Sequence, residues 1–180
     1  MRRLLILLAL LWTSLTLSPA QAADPENTLY LDLPWGRVVI EMRPDLAPKH
    51  VARIKELVRQ RHYDGAPFHR VIEGFMAQAG GPEGTGKTLP LEASEEKHVR
   101  GIVSMARGMG LNSADNQFFI MYGSRPYLDR LYTIWGRVIS GMEHVDRIRK
   151  GPDGEDGAVA EPDRIVRLRI AADIDNKPAP

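Results

Sequence analysis

Residues Gly81 to Thr88, GPEGTGKT, satisfy the pattern G-x-x-x-x-G-K-[ST] letter for letter, the spacing with which a glycine-rich loop turns its amides toward phosphate. Such a loop needs a buried strand before it and a helix opening at the lysine. Pro90 disfavours that helix, because it lacks an N–H and restrains Leu89. An exposed glycine-rich loop is the expectation, and nucleotide binding is disfavoured. The histidines His50, His62, His69, His98 and His144 show no metal-ligand spacing, and the chain has no cysteine, so a structural zinc site is not expected. Asp153-Gly154-Glu155-Asp156-Gly157 has the composition of a calcium loop, but the alternation of ligands fails after Glu155. It reads as a solvated turn. A different pattern joins two strand-like stretches: Met76 and Gln78 are two residues apart, as are Gln117 and Phe119, so each pair shares a face. Each strand then offers one polar and one apolar group to the same groove. Taken singly, Arg70 is a surface or ion-paired arginine, and Phe75, Met76, Phe119 and Leu128 are barrel core.

The elements that must position these groups follow from the periodicity. TLYLDL, from Thr28 to Leu33, places Leu29, Leu31 and Leu33 on one face; after the turn Pro34-Trp35-Gly36, RVVIEM does the same with Val38, Ile40 and Met42. Period two on both sides of a turn predicts a β-hairpin. The period then changes: Ala47, Val51, Ile54 and Val58 recur at three- and four-residue intervals, with Lys49, Arg53, Lys55 and Arg59 elsewhere. That predicts an amphipathic helix with Pro48 in its first turn, ended by Asp64-Gly65. Six further strand-like stretches follow, PFHRVI, GFMAQA, GIVSMA, QFFIMY, YTIWGRVI and RIVRLRIAADI. Together they predict an antiparallel sheet closed into a barrel. A second helix, with Met142, Val145 and Ile148 on one side, stops at Gly151-Pro152.

The chain opens with Arg2-Arg3, an apolar run from Leu4 to Trp12 and then Ala20-Gln21-Ala22, the order of a secretory signal peptide. The run falls short of the roughly 20 apolar residues that span a bilayer. Cleavage after Ala22 and no lasting membrane insertion are expected. Without the two arginines, 22 basic residues face 23 acidic ones, a formal charge of −1, which supplies no basic footprint for nucleic acid. The absence of cysteine excludes disulfides and thiolate chemistry, so stability must come from a packed core. The roughly 155 remaining residues suffice for one domain. The expected organisation is a signal peptide over 1–22, a lead over 23–27, one domain over 28–171 and a tail over 172–180.

Three separated blocks, Phe68-His69-Arg70-Val71-Ile72-Glu73-Gly74-Phe75-Met76-Ala77-Gln78-Ala79-Gly80, Val103-Ser104-Met105-Ala106-Arg107 and Asn116-Gln117-Phe118-Phe119-Ile120, closely resemble the cyclophilin signature. The resemblance extends from about Thr28 to Ile170 and includes Tyr127-Leu128-Asp129. It implies a mainly β fold, an eight-stranded antiparallel cyclophilin-like barrel capped by two α-helices, and peptidyl-prolyl cis/trans isomerase activity without a cofactor. Arg70 matches the family's catalytic arginine. Phe75, Met76, Phe119 and Leu128 match the apolar wall of the proline pocket, and Gln78 and Gln117 match positions that hold the substrate backbone. Ala106 and Arg107 match the segment that pairs with the peptide, and Tyr127 and Tyr132 occupy the rim. Rotation moves no proton, so neighbouring His69 is assigned a structural role.

Departures from the family pattern bear on preference rather than reaction. Many cyclophilins have asparagine at the position of Arg107, tryptophan at that of Tyr127 and histidine at that of Tyr132, and Gln78-Ala79-Gly80-Gly81 replaces the commoner Gln-Gly-Gly-Asp. Tyr127 in place of tryptophan implies weak binding of cyclosporin-type inhibitors. The expected partners are proline-containing unfolded or partly folded polypeptides, with a monomeric chain and no nucleic acid. The alternative is a binding module that holds proline segments with little turnover. Asn112-Ser113-Ala114 resembles bacterial members, so the periplasm is the expected destination, or the medium if there is no outer membrane.

Overall fold

The computed structural model describes residues 24–81, 83–152 and 155–175. The expected signal peptide and Pro82 lie outside the described residues. Eight antiparallel strands form one curled sheet: β1 Thr28–Leu33, β2 Gly36–Met42, β3 Arg70–Ile72, β4 Met76–Ala79, β5 Ile102–Met105, β6 Phe118–Met121, β7 Ile134–Ser140 and β8 Arg167–Ile170. Their spatial order is β3-β4-β6-β5-β7-β2-β1-β8. The hairpin forms as its alternation predicts: Leu31 opposes Val38, Leu29 opposes Ile40, and all four side chains are fully buried.

β3 and β8 are the two ends of the sheet, and no ladder between these two strands joins them. Segments flanking them close the gap instead. Gly65 donates its N–H to Ile165 O at 2.8 Å, Ile165 to Ala66 O at 2.9 Å and Phe68 to Asp163 O at 2.9 Å. Farther along, Val71 donates to Gly157 O at 2.7 Å, and Arg70 and Ala158 form an isolated bridge.

Helix α1, Pro48–Arg59, begins at its proline and buries Val51, Ile54, Leu57 and Val58, the apolar face its spacing dictates. Arg53, expected on the polar face, is only 6% exposed. Its guanidinium is covered by the glycine-rich loop, where Thr85 Oγ1 accepts a bond from it, while Glu56 accepts another at 2.8 Å.

Two expectations need correction. Helix α2 is Met142–Asp146, shorter than the apolar spacing through Ile148 suggests; Ile148 is buried beyond its end. The stretch expected as one long final strand is β8 followed by a helical turn, α3, Ala171–Asp175, which runs from the last residue of the expected domain into the expected tail. Arg59 of α1 donates to the Asp173 carboxylate at 3.1 Å, a long-range pairing that local periodicity does not reveal.

Candidate active site

Alternation along the strands divides their side chains between two apolar clusters. On β6, Phe118 and Ile120 enter the main core, while Phe119 and Met121 join a second cluster. On β4, Ala77 and Ala79 face the core and Met76 faces the second cluster. Leu128, at the end of the 3-10 turn Pro126–Leu128, completes this cluster, and Phe75, Ala106 and Tyr132 pack against it. The residues that could have been barrel core thus form a separate layer. Pairing in register carries polar groups to the same region, since Gln78 opposes both Arg70 on β3 and Phe119 on β6.

A cavity of about 120 Å³ opens over this layer. It is lined by Arg70, Phe75, Met76, Gln78, Ala106, Arg107, Phe119, Leu128 and Tyr132. A larger space of about 380 Å³ shares Gln78, Ala106 and Arg107 with it and adds Gly84, Thr88, Ser113, Asp115, Asn116 and Gln117. The smaller cavity is the one that brings Arg70 together with Phe75, Met76, Phe119 and Leu128; the larger contains none of these five residues. Gln117 therefore lines the neighbouring space, and Tyr127 lines neither. Tyr127 is 62% exposed, with its ring centroid 6.2 Å from that of Phe75.

The polar groups form a chain. Gln78 Nε2 donates to Gln117 Oε1 at 2.9 Å, and Gln117 Nε2 donates to Gly81 O at 3.0 Å. These bonds orient both amides, and Arg70 Nη1 lies a long 3.5 Å from Gln78 Oε1. On its other side Arg70 donates from Nε to Asp156 O at 2.9 Å and from Nη2 to Asp156 Oδ1 at 2.7 Å. The guanidinium beside Asp156 holds that carboxyl below its usual range. The Ala106 N–H is already donated to Gln117 O at 2.8 Å, leaving that residue's carbonyl for a peptide.

Arg107 is occupied at the rim. Its Nε donates to Leu131 O at 3.0 Å, its Nη1 to Gly108 O at 2.9 Å, and its guanidinium lies 4.5 Å from the centre of the Tyr132 ring. The segment after β5 is thereby tied to the turn that carries Tyr132.

His98 and Asp129 support the wall, and no spacing in the sequence singles them out for that role. The His98 ring stacks on Phe119 with centroids 6.3 Å apart, and its Nδ1 is 3.0 Å from Asp129 Oδ1. Burial pushes the His98 pKa down against the opposing pull of Asp129. His69 does not line the cavity; its carbonyl accepts from the Val159 N–H at 3.0 Å.

The phosphate-loop pattern lacks the matching geometry. The N–H groups of Thr85 and Gly86 donate to Asp115 Oδ2 at 2.6 and 3.1 Å, so the chain's own carboxylate occupies that cradle. No helix starts at Lys87, whose Nζ pairs with Glu56 at 3.2 Å.

Comparison with known proteins agrees with this architecture. Residues 29–170 match the family model described as cyclophilin type peptidyl-prolyl cis-trans isomerase. A probable peptidyl-prolyl cis-trans isomerase of Brucella suis is 52% identical over 171 residues, covering 86% of this chain and 87% of the relative. The human peptidyl-prolyl cis-trans isomerase-like 3 is 41% identical over 138 residues, covering 71% and 84%. Among solved structures, a cyclophilin from Hirschia baltica superposes with a TM-score of 0.75 at 29% identity, covering 84% of this chain and 76% of that one. A Cryptosporidium parvum cyclophilin-type isomerase, crystallised in the presence of the dipeptide Ala-Pro, superposes with a TM-score of 0.71 at 29% identity, covering 79% and 98%.

Proposed function

Since the chain belongs to the cyclophilin-type peptidyl-prolyl cis-trans isomerase family, we propose a role for each group at its cavity and a destination for the protein. The enzyme is an isomerase of X–Pro bonds. The barrier it must lower, roughly 18 to 20 kcal/mol, arises from delocalisation of the nitrogen lone pair into the carbonyl. As the amide twists, that lone pair localises on the prolyl nitrogen. Arg70 donates a hydrogen bond to it there, a bond much weaker in the planar ground state, so the twisted state is stabilised preferentially. Rotation breaks no σ-bond and transfers no proton, so the step calls for no nucleophile or cofactor.

The observation that carries this reading is the 120 Å³ cavity in which Arg70 meets Phe75, Met76, Phe119 and Leu128. Those apolar side chains hold the pyrrolidine ring. Gln78, Gln117 and the Ala106 carbonyl hold the peptide backbone on one side of the bond while the other side turns, with Arg107, Tyr127 and Tyr132 at the rim. Proline-containing unfolded or partly folded chains are the substrates. Exchange spectroscopy on a proline peptide tests the reading: accelerated cis–trans exchange supports it, and binding without acceleration would make the chain a holding module.

We further assign the enzyme to exported proteins and the periplasm, on the strength of Arg2-Arg3, the short apolar run and Ala20-Gln21-Ala22. Among the described residues no helix is long and apolar enough to cross a membrane. Mass spectrometry of fractionated cells is expected to find a periplasmic chain beginning at Ala23. An intact Met1 segment in the membrane fraction would overturn the assignment.

Tyr127 bears on inhibitor binding. Tyrosine offers less apolar ring area than tryptophan, and its hydroxyl must stay hydrated or find a partner. Tyr127→Trp is expected to tighten inhibition by a cyclosporin-type ligand in a competition assay; unchanged affinity would move the cause to Arg107.

A further inference from the structure

One residue holds the Arg70 guanidinium twice. Asp156 accepts from Nε through its main-chain oxygen at 2.9 Å and from Nη2 through its carboxylate at 2.7 Å. It does so from a left-handed backbone conformation, φ +51°, which few non-glycine residues adopt and which aspartate and asparagine tolerate best. The next residue clamps this conformation onto β3. Gly157 has φ +75°, a Cβ there would fall 2.3 Å from Ile72 Cγ1, and its carbonyl accepts from the Val71 N–H at 2.7 Å. The clasp is thus anchored at the residue that follows Arg70.

Stability does not account for the carboxylate. The Asp156 side chain is 82% exposed and that of Arg70 30%, and ion pairs this open to water contribute little to folding. Orientation does account for it. A guanidinium has five N–H donors in a rigid plane. The clasp uses Nε and one N–H of Nη2, which fixes the plane and leaves the Nη1 donors beside Gln78 and the cavity. We propose that Asp156 is a positioning residue for the isomerisation, fixing the plane of the Arg70 guanidinium so that its free donors face the prolyl nitrogen. This rests on the reading of Arg70 as the reacting donor.

The test is exchange spectroscopy on a proline peptide with the mature chain as wild type, Asp156→Gly, Asp156→Asn, Arg70→Ala and Arg70→Ala with Asp156→Gly. Glycine keeps the left-handed backbone and the main-chain acceptor but removes the carboxylate; asparagine keeps an acceptor and removes the charge. Displacing a reacting group by about 1 Å can cost up to 100-fold. With the main-chain bond retained, Asp156→Gly is expected to slow exchange at saturating peptide about tenfold, with Kd unchanged. Asp156→Asn is expected to slow it about threefold, since a charge-assisted bond is roughly twice as strong as a neutral one. In the Arg70→Ala background Asp156→Gly is expected to cost nothing further, and the Arg70 Nε–H resonance is expected to shift and broaden in both single variants. Wild-type exchange in folded Asp156→Gly, or an equal loss in the Arg70→Ala background, would overturn the proposal. If Asp156→Gly does not fold, wild-type exchange in Asp156→Asn overturns it. An Arg70→Ala protein as fast as wild type would overturn the reading beneath it as well, and is a different result from a slow Arg70→Ala with a fast Asp156→Gly.

Discussion

Arg70→Ala is expected to lower the isomerisation rate about 100- to 1,000-fold, the usual cost of one preorganised donor aimed at a developing charge, with peptide affinity almost unchanged. The separation follows from the layout: the apolar walls Phe75, Met76, Phe119 and Leu128 remain after the substitution, and only the Arg70 guanidinium is lost from the cavity. Folding is expected to change little, because the ion pair that Arg70 makes is open to water on its Asp156 side. Arg70→Lys is expected to recover part of the rate, since an ammonium lacks the planar fork that the Asp156 carboxylate and carbonyl engage. Exchange spectroscopy on one peptide reports rate and binding together. Equal rates in wild type and Arg70→Ala would remove the arginine from the mechanism.

The pH profile provides a second check. Guanidinium does not titrate in the working range, and the Asp156 carboxyl is held below its usual range, so the wild-type rate is expected to be flat between about pH 6 and 9. Below that interval the fold is affected before the chemistry. Burial lowers the pKa of His50 and His98 from the ordinary 6.5, so their neutral forms favour the folded state above that value. This contribution is lost as pH falls through their lowered values. A rate that changes across that interval while the fold stays intact would show that a titrating group takes part in the reaction.

Phe119→Ala is expected to act in the opposite sense, weakening binding and stability more than the rate at saturation. The side chain is 4% exposed, stacks on His98 and meets the edge of Tyr132 at 5.8 Å. Removing it is expected to cost about 3 kcal/mol of folding free energy. The void merges with the cavity, so the pyrrolidine ring loses a wall and peptide affinity is expected to fall about tenfold, as for losing roughly 1.4 kcal/mol of apolar contact. Urea unfolding and peptide titration measure the two effects. Lost stability with unchanged affinity would return Phe119 to the role of core residue alone.

The contrast between these substitutions marks what the sequence reveals. Period two in TLYLDL and RVVIEM specifies the hairpin, because a half-buried strand must alternate, and the Ala47 to Val58 spacing specifies α1 for the corresponding reason. FFIM on β6 is buried on both faces, so its pattern alone cannot separate the residues of the main core from Phe119 and Met121. The division becomes visible only once β4 and β5 lie beside it. Arg53 has the spacing of a solvent-facing residue and is buried by a loop some thirty residues away. Asp156 sits in a polar stretch that reads as a solvated turn, yet its contact with Arg70 spans 86 positions. Periodicity reports neighbours within an element, and these two contacts depend on how distant elements close.

The curled sheet ends at β3, and across the gap Arg70 faces the segment around Ala158 rather than another ladder. Arg70 therefore stands at the end of the sheet, held across the gap by bonds to bridging segments rather than by a continuous strand ladder. Opening of this seam alone would free the segment around Arg70 from the one around Gly157 while the rest of the core stayed packed, at less than the free energy of global unfolding. Substitutions along the seam from 157 to 165 would shift that opening while leaving the residues that line the cavity in place.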